Sequence, residues 1–297
     1  MSISRVLNTL LLSGSMLAGL AVTSAFAADV EAGPLPAVSG INGKIEFAAG
    51  ISDADAVSSD GVFYGAGAIS IPLGDTFGLQ ADFAVVDAFD ETAVGGALHL
   101  FTRDPNQYLF GAIGGYADFG AGETLWGGAE AEIYLDQISI EAVAGVMDLD
   151  AGNVNSTELF AVADVALYAT DDLRLSVGAS SIAGFETAGV GMEWALGDIG
   201  LPISFTADAR IGEDDFIAAK AGFTIYFGSG SEKSLKDRHR QDDPRIRSFI
   251  GSSGLDIFGA GGVLDEECTV PEGGGEMMLT KAPAPVDSCG VPIAYDK

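Results

Sequence analysis

From Gly43 to Phe227 the chain repeats one unit about twelve times: some ten residues that alternate apolar with small or polar, then a turn or an acidic link. Along Leu125, Gly127, Ala129, Ala131, Ile133 and Leu135 one face is apolar or small, while the interleaved face reads Thr124, Trp126, Gly128, Glu130, Glu132 and Tyr134. No helix keeps Glu130 and Glu132 on one side with apolar residues between them, whereas a strand, with its period of two, does. The same split separates Ile203, Phe205, Ala207, Ala209 and Ile211 from Ser204, Thr206, Asp208 and Arg210. It separates Ile217, Ala219, Ala221, Phe223, Ile225 and Phe227 from Ala218, Lys220, Gly222, Thr224 and Tyr226. The spacing predicts strands at 43–51, 61–72, 77–88, 92–102, 107–119, 123–135, 138–149, 157–169, 173–183, 186–196, 203–211 and 215–227. The predicted fold is all-β: an antiparallel up-and-down transmembrane β-barrel of about 12 strands, apolar face to lipid and polar face to the lumen.

The connections alternate in character. Tight turns rich in Gly, Pro, Asn and Asp fall at 72–76, 103–106, 136–137, 170–172 and 197–200. Between them lie longer or more acidic links, such as Ser52 to Asp60 and Asp150 to Ser156. An even strand count puts both barrel ends on the side of the tight turns. Phe101, Tyr108, Tyr134, Tyr168, Trp194, Tyr226 and Phe227 fall near strand ends on that side, and Tyr64, Phe89, Tyr116, Phe119 and Trp126 nearer the other. That clustering is expected of two interfacial girdles, with an inward orientation left open for several of the rings, including Tyr134 and Tyr168.

Composition sharpens this picture. A net charge of -29 coexists with a mean hydropathy of +0.31, which a barrel reconciles by showing apolar residues to lipid while loops and lumen hold the carboxylates. The charge is unevenly spread: residues 28–227 carry 31 acidic and 5 basic side chains, residues 228–297 carry 12 and 8. At the start, Arg5, the apolar stretch Val6 to Val22 and the sequence Ala25, Phe26, Ala27 predict a signal peptide over 1–27, cleaved before Ala28. After cleavage no segment approaches the ~18 to 20 uninterrupted apolar residues of a membrane helix. The predicted organisation is signal peptide 1–27, linker 28–42, barrel 43–227 and tail 228–297.

The last repeat carries the most specific signal. Lys220 to Phe227 runs polar, any, Gly, any, any, apolar, any, aromatic, with Lys220, Gly222, Ile225 and Phe227 at the defining positions. This resembles the C-terminal strand of bacterial outer-membrane β-barrels, and residues 43–227 as a whole resemble the small porin-like kind. The resemblance implies recognition by the barrel-assembly machinery and contact with outer-membrane lipids and lipopolysaccharide. It also implies a periplasmic tail and, as in other porin-like barrels, a homo-oligomer as an open possibility. It implies neither nucleic acid nor any cofactor.

By alternation the lumen contains Glu46, Asp82, His99, Glu130, Glu132, Glu141, Asp164, Glu193 and Asp208, with Lys44, Arg174, Arg210 and Lys220 as cations. A wet lumen of that composition favours cations, and passive diffusion of small solutes is the expected function. A closed network of ion pairs that stiffens a non-conducting, structural or adhesive barrel is the alternative. Catalysis is not expected, because the chain has only His99 and His239 and no G-x-S-x-G elbow; His239 reads as part of a solvated charged turn. The acidic groups around Asp53, Asp148 and Glu213 read as a solvated rim. They lack calcium-loop spacing, and no Cys and His cluster offers a metal site. Glu232 to Arg247 mixes six basic with four acidic residues and is expected as a short polar helix or extended arm beneath the barrel. The tail is also the one candidate for a plug. Cys268 and Cys289 are expected to form a disulfide, with disorder beyond about residue 265.

Overall fold

The structure is a computed structural model that describes residues 35–54, 57–88, 91–120, 122–151, 154–197, 202–213, 215–228 and 233–247. The expected signal peptide and the expected pairing of Cys268 with Cys289 lie outside the described residues. Twelve strands follow one another in antiparallel pairs: β1 (Asn42–Ala54), β2 (Val57–Leu73), β3 (Phe77–Ala88), β4 (Glu91–Asp104), β5 (Tyr108–Asp118), β6 (Gly122–Leu135), β7 (Ile138–Ala151), β8 (Val154–Thr170), β9 (Leu173–Ile182), β10 (Phe185–Ala195), β11 (Ile203–Gly212) and β12 (Ile217–Gly228). β12 then pairs with β1, from Asn42 opposite Gly228 to Asp53 opposite Ile217, and the sheet closes without an edge. Closure gives the backbone polar groups of every strand a partner on both sides, which is the condition for crossing a bilayer with strands.

The alternation sets the two faces as the period of two requires. Leu125 is 63% exposed and its neighbour Trp126 only 4%. Leu98, Val146, Leu159, Val177, Val190 and Phe223 likewise point outward and are exposed. An apolar belt of this extent is stable only against lipid. Tight turns join the strands at one mouth, termed the near mouth because both barrel ends lie there; Gly74 (φ 72°) and Asp136 (φ 44°) supply the left-handed residues.

At the far mouth the ladders run beyond the alternating segments. β1 and β2 pair out to Ala54 opposite Val57, and β7 and β8 out to Ala151 opposite Val154. The links expected at 52–60 and 150–156 are therefore mostly strand, and Asp148 and Asp150 sit on β7. Acidic side chains end the apolar pattern but leave the backbone free to continue its hydrogen-bond ladder.

The girdle reading is also corrected. Trp194, Phe227 and Tyr116 are exposed on the outer wall, but Phe101, Tyr134, Tyr168 and Tyr226 are buried inside the near mouth and Tyr64 and Trp126 inside the barrel; Phe89 lies outside the described residues. The core thus sits within the barrel. In its far half Trp126 meets Phe160 edge-on at 5.8 Å and Phe185 meets Phe216 at 5.6 Å. Val62, Val86, Ile113, Met147 and Ile182 fill the space around them. At the near mouth the residues before β1 turn inward: Val38 packs with Phe101, Leu109 and Tyr134, and the Ala37 carbonyl accepts from Arg103 Nη1 at 3.4 Å.

The tail departs most from expectation. Helix α1 (Leu235–Gln241) is not beneath the barrel. It sits in the near mouth, and residues 242–247 continue into the lumen. Burial drives this placement, since Leu235, Arg238, Arg240 and Gln241 and every residue from Asp242 to Arg247 except Arg245 are buried.

Candidate functional site

The lumen is assembled from the near mouth inward. The hydroxyl of Ser234 caps α1 by accepting the Asp237 N–H at 3.2 Å. The next two N–H groups bolt the helix to the β8–β9 turn: Leu235 donates to Asp172 Oδ1 at 3.1 Å and Lys236 to the Asp171 carbonyl at 2.9 Å. Arg240 lies over the rings of Tyr134 (5.1 Å) and Tyr168 (5.5 Å) and donates to the Ile138 carbonyl at 3.0 Å. Arg238 lies over Tyr226 at 5.2 Å.

His239, expected in a solvated turn, is instead held between two tyrosines. Its Nδ1 is 3.0 Å from Tyr168 Oη, and its Nε2 is 3.0 Å from Tyr226 Oη and 3.3 Å from Glu193 Oε2. Burial pushes its pKa below the ordinary histidine value, only partly opposed by Glu193. A neutral ring fits these partners if Nε2–H donates to Glu193 and Nδ1 accepts from Tyr168, a tautomer assigned from the partners.

Beyond the helix the chain is gripped by the wall. Asp242 takes Lys233 Nζ at 2.6 Å and the hydroxyl of Ser39. The Pro244 carbonyl accepts from Lys44 Nζ at 3.1 Å and Gln80 Nε2 at 3.2 Å. Arg245 Nη1 stands 3.2 Å from Asp164 Oδ2 and 3.4 Å from Glu141 Oε2, and Glu141 also binds Arg174 at 2.9 Å. The Arg247 N–H donates to Asp82 Oδ2 at 2.6 Å, while its Nη1 lies 3.9 Å from Asp164.

The remaining wall residues fall around this segment. His99 is clasped by Asp82 (Nε2, 2.9 Å) and Glu130 (Nδ1, 3.0 Å). Ionised carboxylates only accept, so a ring serving both has no lone pair left to act as a base. Glu132 accepts from Tyr134 Oη at 2.7 Å, and Glu193 from Tyr226 Oη at 2.5 Å and from Ser204. Asp208 is 3.6 Å from Arg210 Nε, and Lys220 lies over Tyr64 at 3.8 Å. Glu46 joins Lys44, Arg174, Glu193, Asp208, Lys220, His239 and Arg245 around a polar cavity of about 90 Å³. Of the terminal-strand residues, Gly222 faces Ala48 across the β12–β1 seam, while Ile225 and Phe227 are outward and exposed.

The expected lumenal set omits Gln80 and Arg103 although alternation puts them on the faces of Asp82 and His99; the arm residues Pro244, Arg245 and Arg247 carry no such mark. Charge balance is the signal that ties the arm to the wall. Eight lumenal carboxylates (Glu46, Asp82, Glu130, Glu132, Glu141, Asp164, Glu193, Asp208) face five wall cations (Lys44, Arg103, Arg174, Arg210, Lys220). Residues 233–247 carry six cations (Lys233, Lys236, Arg238, Arg240, Arg245, Arg247) and three carboxylates (Asp237, Asp242, Asp243). The arm's net positive charge is opposite in sign to the wall's net negative charge, as charged groups buried together require.

Asp243 makes the docked arm sensitive to pH. Its carboxyl is buried; burial pushes its pKa from 3.8 up to about 6, with Lys44 opposing and Asp242 reinforcing. An acid raised in the docked state supports docking fully below its free value and loses that support as pH rises through about 6. Asp243→Asn is therefore expected to match the wild type near pH 4 and to exceed it at pH 8 by roughly 2–3 kcal/mol. Amide hydrogen exchange of the arm in the two proteins at both pH values, corrected for the intrinsic pH dependence of exchange, checks this, and a constant difference between them would exclude Asp243 as the cause.

No family model matches this sequence, and no curated protein matches it. Among solved structures the barrel is similar to the KdgM porin in complex with disordered oligogalacturonate, at 9% identity, covering 62% of this chain and 99% of that one, TM-score 0.49. It is similar to the NanC porin at 6% identity, covering 61% and 98%, TM-score 0.48. It is also similar to the outer-membrane phospholipase OMPLA of Salmonella typhi, crystallised as a dimer with calcium, at 11% identity, covering 63% and 91%, TM-score 0.44. Likeness at this level carries no argument about substrate or activity, and the site is read from its own geometry.

Proposed function

We propose that this protein is a porin-like barrel of a bacterial outer membrane that lets small solutes diffuse passively, with a mild preference for cations, and that residues 233–247 are the plug that closes it. The observation that carries this reading is the independence of wall and plug. The barrel completes its ladder through the β12–β1 pairing without any help from the arm. The arm adds no strand, and it holds the wall through side chains and a few backbone groups, so its withdrawal breaks no ladder bond and leaves a lumen walled by Glu, Asp, Lys and Arg. The surplus of carboxylates on that wall sets the cation preference. Both barrel ends and the tail then belong to the periplasm, and the extended hairpins of the far mouth to the outside.

The second reading, a non-conducting barrel that acts through its acidic outer hairpins and its tail, is favoured by one feature: the far half of the lumen is lined by buried apolar side chains, including Trp126, Phe160, Phe185 and Phe216. Single-channel recording of the refolded mature protein in a planar bilayer, with a KCl gradient, separates the two. Brief cation-selective steps are expected, and Glu130→Gln with Glu132→Gln should lower the selectivity while the steps persist. A barrel that is folded and heat-resistant yet silent at all voltages and after arm release sinks the passage reading.

A further inference from the structure

The arm is held in the lumen as a ligand is held in a site. Three kinds of contact converge on four consecutive residues: a main-chain carbonyl (Pro244) received by two side-chain donors, Lys44 and Gln80; a guanidinium (Arg245) set between Asp164 and Glu141; and a main-chain N–H (Arg247) received by Asp82. These are the groups of an extended peptide, read at its backbone and at a basic side chain. The receiving groups come from β1, β3, β7 and β8, all part of a wall that closes without the arm. His99 fixes Asp82 from behind and Arg174 fixes Glu141, at 2.9 Å each, so the cradle is oriented by the barrel itself.

We propose that this ring is a recognition site for arginine-bearing peptide chain, that Pro244 to Arg247 is its resident occupant, and that an arginine-bearing peptide supplied from outside the chain competes with the arm for it. The proposal rests on the passage reading only for the fate of the bound peptide. Binding itself requires the cradle alone. A peptide without a cationic side chain has nothing to offer Glu141 and Asp164, and an amine on a short solute lacks the carbonyl and N–H that Lys44, Gln80 and Asp82 engage.

The test uses the full mature chain in detergent micelles and a labelled synthetic peptide with the sequence of residues 242–247, followed by fluorescence anisotropy. The peptide should bind the Arg245→Ala, Arg247→Ala double variant at least about tenfold more tightly than the wild type, whose own arm occupies the ring. Citrulline in place of both peptide arginines should abolish binding, and Glu141→Gln with Asp164→Asn should do the same. The citrulline peptide keeps the proposal open to refutation even if that last variant fails to fold. Equal binding to wild type and to the arm variant, or equal binding of the citrulline peptide, overturns the site. Bilayer recording on the same samples keeps the two readings apart. A barrel that binds the peptide but never conducts retains the site and loses the passage; one that conducts but ignores the peptide does the reverse.

Discussion

Reversing the two arginines that the arm carries into the lumen, Arg245→Glu together with Arg247→Glu, is expected to turn a largely closed barrel into a persistently open, cation-selective one. Arg245 is shared between Asp164 and Glu141, and the guanidinium of Arg247 lies 3.9 Å from Asp164, while its bond to Asp82 is made by the main-chain N–H and survives the substitution. Each reversal removes a partner from a buried carboxylate and adds a like charge to it. Breaking a buried pair from one side typically costs ~3–5 kcal/mol. Even one such loss shifts a docking equilibrium by more than about a hundredfold. The wall itself is untouched, because none of its strands draws a ladder bond from the arm. The expected readout is a large rise in open probability at unchanged heat-resistance, with reversal potentials shifted toward the cation limit. Lys236→Glu is the control: Lys236 pairs with Asp171 at the rim, where that carboxylate is exposed, and a surface pair contributes ~0–1 kcal/mol. A double reversal that releases the arm, seen as rapid trypsin cleavage after Lys233, but leaves the bilayer silent would show that the apolar far half closes the barrel on its own.

Gly222→Val is expected to prevent the barrel from closing. Gly222 faces inward on β12 opposite Ala48 of β1. A Cβ added there would collide with the Phe47 carbonyl oxygen and lie 2.6 Å from Ala48 Cα. These are backbone atoms and cannot swing aside as a side chain would. The pairing from Asn42 to Asp53 would have to shift or open, exposing the only edges the sheet could have. The expected result is loss of the compact, heat-modifiable band after refolding into micelles, while Gly61→Ala, where an added Cβ meets nothing within 4 Å, refolds normally. Refolding without cellular machinery makes the test specific. A valine variant that refolds well in micelles and fails only in cells would mean that Gly222 matters as a recognition signal and not as a steric requirement of the seam.

How much of this was legible beforehand follows from the range of each interaction. Strand number, strand order and the side to which each wall residue points all rest on a period of two, which is a local property of the backbone. Glu130 and Glu132 fall on the buried face, opposite in side to Ala129 and Ala131, for that reason alone. The far hairpins were underestimated because polar residues such as Asp148 and Asp150 end the hydrophobic signal without ending the backbone ladder. Phe101 falls into the expected girdle because strand-end position does not tell an outward aromatic from one that packs inside the mouth, whereas Tyr168 is left open to facing inward and alternation sets Tyr226 on the polar face.

The arm marks the boundary. Its basic surplus was visible as composition, and a short polar helix or an extended arm was expected of it. Nothing local, however, says that Arg245 meets Glu141 and Asp164, residues 104 and 81 positions earlier in the chain. Alternation determined that those carboxylates face the lumen. What neutralises them there was decided only when twelve strands closed into a cylinder and the charge trapped inside it had to find a partner, since an unpaired carboxylate out of water costs far more than ordering a short segment of chain.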